Sequence, residues 1–334
     1  FKLKDYSKDG VVSLEAYDTY WGGAPSIKTL VFRQVQEAQT RVEKLTGDEP
    51  CVVDDVARSE WEKLGDKVHK WWALNCCYLG INTKSGGKAL QDFRIRKAIQ
   101  LAMDREALAA LYLGTAQPSY TLLPPTFAET DKKFRPADTE MPLEERIARA
   151  KVLIQESGIN GDDLKVTLKF PQNPRPYLPE PSKTAERVKQ QLAKVGIQVE
   201  PESVPNSVLF SSFDNEQHQM VLLGWMSDNA DPDNYFGPLT GATMREGKMV
   251  ANSNNVGRTT DDKVNDAIRA ARSLTDSGAR AKAYQAIEAD QQERLIGYVP
   301  LVNTQQGIAI SSKLKGVEID KLGHYRFHKA SIAD

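Results

Sequence analysis

An α/β fold with more than one core is what the sequence predicts, on three observations. Residues 164–170 alternate apolar and polar side chains as a half-buried strand does, residues 184–195 run at helical spacing and close on Gly196, and residues 197–200 read as a second strand. Strand, helix, strand implies a parallel α/β unit. A chain of 334 residues is too long for one small core, so two domains are expected. No Gly/Ser-rich linker separates them.

Composition narrows the function classes. Lys+Arg 44 against Asp+Glu 45 is balanced and leaves no electrostatic footprint for nucleic acid. No apolar run approaches the length of a membrane span. Cys51, Cys76 and Cys77 match no metal spacing; the adjacent pair lies in an apolar run and reads as small buried hydrophobes, with a catalytic thiol as the competing reading. Phosphate-loop, H-E-x-x-H and G-x-S-x-G motifs are absent from the sequence. The Asp231-Pro232-Asp233-Asn234 run has oxygen ligands but lacks the acid spacing, Gly and final Glu of a calcium loop. No cofactor is expected.

In chain order, residues 1–21 read as two strands around a Lys-Asp-Gly turn, and residues 27–35 as a third. A short helix spans 37–44 and a strand 51–56. Residues 74–83 contain the apolar run around Cys76 and Cys77. Residues 94–108 have apolar positions at helical spacing, with Asp104 as an N-cap where a new period begins. Residues 142–157 form an amphipathic helix ended by Gly158. Helices are expected at 262–274 and 279–295, and a short strand at 299–302. His218 reads as structural, and His324 and His328 as surface residues.

Two loops carry candidate chemistry. The first, Pro171-Gln172-Asn173-Pro174-Arg175-Pro176-Tyr177, holds Arg175 between prolines, so its backbone is set before a ligand arrives. A guanidinium fork there matches a carboxylate; an exposed loop arginine is the plain alternative. In the second, the apolar run 221–223 ends on Gly224 and leads into Trp225, Met226, Ser227 and Asp228, closed by Asp-Pro-Asp-Asn. An indole face orders cheaply on binding and a carboxylate holds an ammonium group. A strand end followed by an Asx-rich turn explains the same residues.

The second loop, read as G-W-x-x-D-x-x-D-P-D-x-F/Y, resembles the solute-binding proteins of peptide-type ABC importers, solute-binding family 5. The resemblance runs almost end to end. It includes the opening F-K-L-K-D-Y and Y-W-G-G-A-P words, the strand around Tyr78, the Arg94–Leu108 stretch, the Leu122-Leu123-Pro124-Pro125 loop and the Leu322-Gly323 close. It implies a periplasmic-binding-protein-like fold of type II. Residues 1–84 and 304–334 would form a partial lobe I and residues 85–303 lobe II, since Phe1 aligns to the middle of the family pattern. It implies an extracytoplasmic, periplasmic or lipid-anchored binder, peripheral to the membrane and monomeric. Such a binder performs no chemistry, captures a short peptide and hands it to permease subunits of the importer.

The same resemblance assigns Asp228 to the peptide ammonium, Arg175 to its carboxylate and Trp225 to a pocket aromatic. Gly224, Met226 and Ser227 would line the same wall, and Tyr78 would add ring surface at the crossing strand, with a core tyrosine as the alternative. Cys51 matches a cysteine that some members pair with one near the mature N-terminus. The cysteines that some members carry after the Asp-Pro-Asp motif have no counterpart here. Nickel chelates, glutathione, haem and oligosaccharides are the other ligands known in the family, and a hydrolase using Asp228 with a His is the competing class.

Overall fold

A computed structural model describes residues 1–47, 49–54 and 56–333. The chain forms two compact units, residues 1–73 with 305–334 and residues 74–304. The first boundary falls at 73/74 rather than at 84, because the whole strand around Tyr78 belongs to the second unit.

In the first unit, β1 (Lys2–Tyr6), β2 (Val12–Glu15) and β3 (Thr29–Phe32) form an antiparallel sheet. Gly10, at φ 75°, makes the turn between β1 and β2. The third strand is shorter than the sequence indicates. Helix α1 (Ala38–Lys44) follows, and then β4, which covers only Val52–Val53; Asp55, part of the expected strand, lies outside the described residues. Helix α2 (Trp61–Leu64) and β5 (Val68–Trp72) complete this segment. Leu45, Val53, Val56, Trp61 and Val68 make its small core.

The second unit opens with β6 (Asn75–Ile81), buried along its whole length. Helices α3 (Lys88–Gln91), α4 (Phe93–Ala102) and α5 (Arg105–Ala109) follow. Asp92 caps α4 by accepting from the Arg94 amide, and Asp104 caps α5 by accepting from the Ala107 amide, as its position predicts. After β7 (Ala116–Pro118), α6 (Leu143–Ser157) ends at Gly158 with φ 70°. The predicted parallel unit is β8 (Lys165–Pro171), α7 (Pro181–Ala193) and β9 (Gln198–Val204), with β8 and β9 paired in parallel. Helix α8 (Asn206–Asp214), absent from the sequence reading, leads to β10 (Met220–Met226).

Beyond β10 the chain forms helix α9 (Asp233–Thr240), where the sequence reads an Asx-rich turn. Pro232 stands just before it, a position that fixes φ without losing a needed donor. The hairpin β11 (Ala242–Arg245) and β12 (Lys248–Ala251) fills the stretch that carries no cysteines, and α10 (Asp262–Arg272) and α11 (Ser277–Asp290) follow. The last strand, β13 (Tyr298–Ile310), is far longer than the expected 299–302. It starts in the second unit and ends in the first, where β4 and β5 pair with it.

Within the second unit the strand order is β13, β6, β10, β8, β9. Strand β6 runs antiparallel to both neighbours, while β10, β8 and β9 are mutually parallel. Leu79, Ile99, Leu168, Leu192, Leu222 and Val299 are among the residues of the continuous core between this sheet and its helices. Burial of that apolar set is the main favourable contribution to the unit's stability.

Candidate functional site

Strands β8 and β10 are parallel neighbours, with Met220 opposite Leu168 and Val221 opposite Lys169. Their carboxyl ends therefore open at the same edge of the sheet, where ligands sit in open α/β sheets. The Arg175 loop leaves one end and the Trp225–Asp228 loop leaves the other.

The Arg175 loop is fixed by its backbone. Arg175 and Leu178 exchange both main-chain hydrogen bonds, at 3.0 and 2.9 Å. The Thr304 hydroxyl donates to the Pro176 carbonyl at 2.8 Å, and Thr304 is itself held by the buried Asn75 side chain. Tyr177 lies against the neighbouring loop: a methyl group placed on Gly224 would sit 2.4 Å from its ring and 2.5 Å from the Cys76 carbonyl oxygen. Gly224 thus lets the Tyr177 ring pack close against β10, which joins the two loops. Burial pushes the Tyr177 phenol up to about 12, against the lowering effect of Arg175 nearby. The Arg175 Nε is buried and has no hydrogen-bond partner, and among the described residues no carboxylate pairs with this guanidinium. An unpaired cation is costly to keep from water.

The Asp228 loop is organised by a residue outside the predicted set. The Asn234 Oδ1 accepts from the Trp225 indole Nε1 at 3.1 Å and from the Asp228 backbone N at 3.0 Å. Its Nδ2 donates to Asp228 Oδ2 at 3.0 Å. Trp225 and Met226 are half-buried, and Asp228 is exposed. Ser227 does not line a wall as the resemblance implies. It is buried, its amide donates to the Leu74 carbonyl, and its hydroxyl accepts from Ala230 N at 2.9 Å. That bond holds Ala230 at φ 58°, a left-handed conformation unusual for alanine.

The acids of this stretch separate into two kinds. The Arg280 guanidinium donates to both Asp231 oxygens, at 2.8 and 3.0 Å, and Arg272 donates to Asp233 at 2.6 Å. Tyr284 also donates to Asp233, and its phenol is pushed up to about 12, first by burial and then by the acids beside it. Both acids therefore tie the start of α9 to α10 and α11. Asp228 has only the Asn234 amide and no cation among the described residues.

Tyr78 is a core residue rather than ring surface. It is fully buried, meets Tyr298 edge to face at 5.0 Å, and burial raises its phenol well above the usual range. His218 is structural: its ring bonds the Val256 and Ser212 carbonyls, and burial lowers its pKa. Cys76 and Cys77 are fully buried, and Cys51 is a free, half-buried thiol. Among the described residues no group of three or more His, Cys, Asp or Glu side chains is placed to hold a metal. Among the described residues no helix is long and apolar enough to cross a membrane.

The structure thus sets Tyr177 of the Arg175 loop against Gly224, and joins Trp225 and Asp228 through Asn234. It moves Ser227 and Tyr78 inward. Tyr177, Asn234 and Thr304 were not among the predicted site residues. The R-P-Y and D-P-D-N words contain the first two, but their roles depend on long-range packing.

Comparison with known proteins gives a consistent picture. The family profile “Bacterial extracellular solute-binding proteins, family 5 Middle” matches residues 1–246. The chain is 29% identical over 343 residues to the dipeptide-binding protein of Escherichia coli and 30% identical over 341 residues to di/tripeptide-binding protein 4 of Pseudomonas aeruginosa. Each alignment covers 99% of this chain and 60% of the relative. The crystal structure of a dipeptide-binding protein from a Pseudoalteromonas species, in complex with Met-Leu, superposes with a TM-score of 0.79 at 22% identity. That match covers 99% of this chain and 63% of the other, and it establishes likeness of fold.

Proposed function

The chain belongs to the bacterial extracellular solute-binding proteins of family 5, and from that membership we propose that it captures a short peptide by its two charged ends for an ABC importer. The carrying observation is a pair of unmatched charges. Among the described residues Arg175 lacks a carboxylate and Asp228 lacks a cation, on two joined loops at the carboxyl ends of adjacent parallel strands. The neighbouring acids Asp231 and Asp233, by contrast, each meet an arginine. A zwitterion supplies both missing partners. Its ammonium would meet Asp228, its carboxylate would meet Arg175, and Trp225 would offer a flat apolar face to what lies between.

The names of the relatives weigh towards a peptide, since five are named for binding dipeptides or di/tripeptides and one for binding haem. A hydrolytic reading lacks a base. The buried His218 is engaged with two backbone carbonyls, and no other His lies in either loop. The protein acts in this account as a binder outside the cytoplasm, delivering its ligand to membrane permease subunits.

Isothermal calorimetry on an unblocked dipeptide, its N-acetylated form and its C-terminal amide tests the reading. Blocking either end is expected to weaken binding at least about tenfold, since each loss leaves a desolvated charge unpaired. Equal affinity for all three ligands would remove both charges from ligand recognition.

A further inference from the structure

We infer that Asn234 is the positioning residue of the site, and that its being an amide rather than an acid is what leaves the Asp228 carboxylate open and correctly aimed. The inference rests on the peptide-binding reading, and deepens it by naming the side chain that presents the ammonium acceptor.

The geometry is unambiguous about what position 234 must supply. The Trp225 indole N–H and the Asp228 backbone N–H are both donors, so the atom facing them must be an acceptor. The Asp228 carboxylate accepts, so the atom facing it must be a donor. Only an amide side chain of this length offers both, and the network fixes which way it points. One residue thereby sets the plane of the indole and the direction of the carboxylate. A ligand meeting a preset ring and a preset charge loses less affinity to ordering the site.

The position of Asn234 is itself fixed. It is the second residue of α9, whose first turn is held where Asp231 Oδ1 accepts from the Asp233 amide and Arg280 holds Asp231. The charged groups that share its cleft are Asp231, Asp233, Arg245, Arg272 and Arg280. Tyr235 is near Asp228 but spends its hydroxyl on the Leu74 carbonyl. Thus Asp231 and Asp233 are already paired with arginines, and no histidine is among the described residues that line this cleft.

A carboxylate at position 234 would keep both acceptor contacts but set an oxygen against Asp228 Oδ2, now 3.0 Å from the amide nitrogen. Two carboxylates at that separation resist ionising together, so the pair holds one shared proton in mildly acidic solution and gives it up as pH rises. The Asn234→Asp protein should therefore bind in a pH-dependent way. At about pH 7.5 both Asn234→Asp and Asn234→Ala bind unblocked Ala-Ala at least about tenfold more weakly than wild type. At about pH 5, relative to wild type at that pH, Asn234→Asp recovers to within about threefold, because the shared proton restores the donor. Asn234→Ala recovers nothing.

A readout without ligand separates this inference from the reading it rests on. The Trp225 indole N–H resonance, assigned by its loss in Trp225→Phe, should shift and exchange faster in Asn234→Ala and stay in place in Asn234→Asp. An unmoved indole resonance in Asn234→Ala, or wild-type affinity of Asn234→Asp at both pH values, overturns the positioning role. A wild-type protein that ignores Ala-Ala while the indole behaves as stated overturns the peptide reading and leaves Asn234 as the organiser of the loop.

Discussion

The loop that ends in Asp228 and the helix start at Asp231 and Asp233 are neighbours in sequence and opposites in chemistry. At the helix start each acid is met by an arginine from another helix, so the charges are spent on tying α9 to α10 and α11. In the loop the acid meets only an amide and stays exposed. Glu288 adds a third situation: fully buried without a cation, it accepts from the Leu122 and Leu123 amides and from Gln292. The same functional group is thus an exposed acceptor without a cation, a structural clamp or a buried hydrogen-bond hub according to what faces it.

The buried acid gives the largest expected effect. Burial pushes the Glu288 carboxyl from 4.5 up to about 7. The folded state therefore holds its proton where the unfolded state has released it, so stability is fully present below about pH 4.5 and is lost as pH rises to about 7. At about 1.4 kcal/mol per pH unit the loss is at most about 3.5 kcal/mol. Urea unfolding at pH 5 and pH 8 should show it in wild type and show a flatter profile in Glu288→Gln. Asp261 and Asp290 have carboxyls lowered by Arg294, so their contribution is lost only at more acid pH, below this window.

Next in size is Gly224→Ala. The added methyl must displace the Tyr177 ring or the Cys76 carbonyl, and overpacking of that kind costs about 1 to 3 kcal/mol. Denaturant unfolding should register the cost, and dipeptide affinity should fall with it because the Arg175 loop moves. Unchanged stability would mean that Tyr177 does not seat on β10.

Asp228→Ala should then split from Asp231→Ala. The first should weaken dipeptide binding at least about tenfold, which is about 1.4 kcal/mol, while its melting temperature stays near wild type. The second should cost about 1 kcal/mol of stability, modest because the Arg280–Asp231 pair is part-exposed. Binding should change less than in Asp228→Ala. A stability loss in Asp228→Ala matching that of Asp231→Ala would erase the distinction between the two regions.

Much of this architecture is legible in the sequence because it is written in local pattern. The alternation of residues 164–170, the Asp104 cap and the Gly158 stop each act within a few residues, and each appears where it is read. Helix α9 is misread as a turn because Asp, Pro and Asn suit both a turn and a helix start, and the arginines that decide between them are distant in sequence. Strand β13 is underestimated because its second half, from Gln305, is held by pairing with β4 and β5 rather than by its own apolar content. Arg175 and Asp228 stand out by motif, but only the structure separates Asp228 from Asp231 and Asp233, and only it moves Ser227 and Tyr78 inward. Asn234 was invisible as an organiser because its role is three hydrogen bonds at fixed geometry, which composition does not encode.

The central claim is that Asp228 meets the ligand's ammonium group. Its most direct test is a cycle in calorimetry, with wild type and Asp228→Ala each titrated with an unblocked dipeptide and with its N-acetyl form. N-acetylation should weaken binding to wild type at least about tenfold and should cost almost nothing further in Asp228→Ala, because the group it removes has lost its partner. The same fold loss on N-acetylation in both proteins would contradict the account and leave Asp228 as a loop residue.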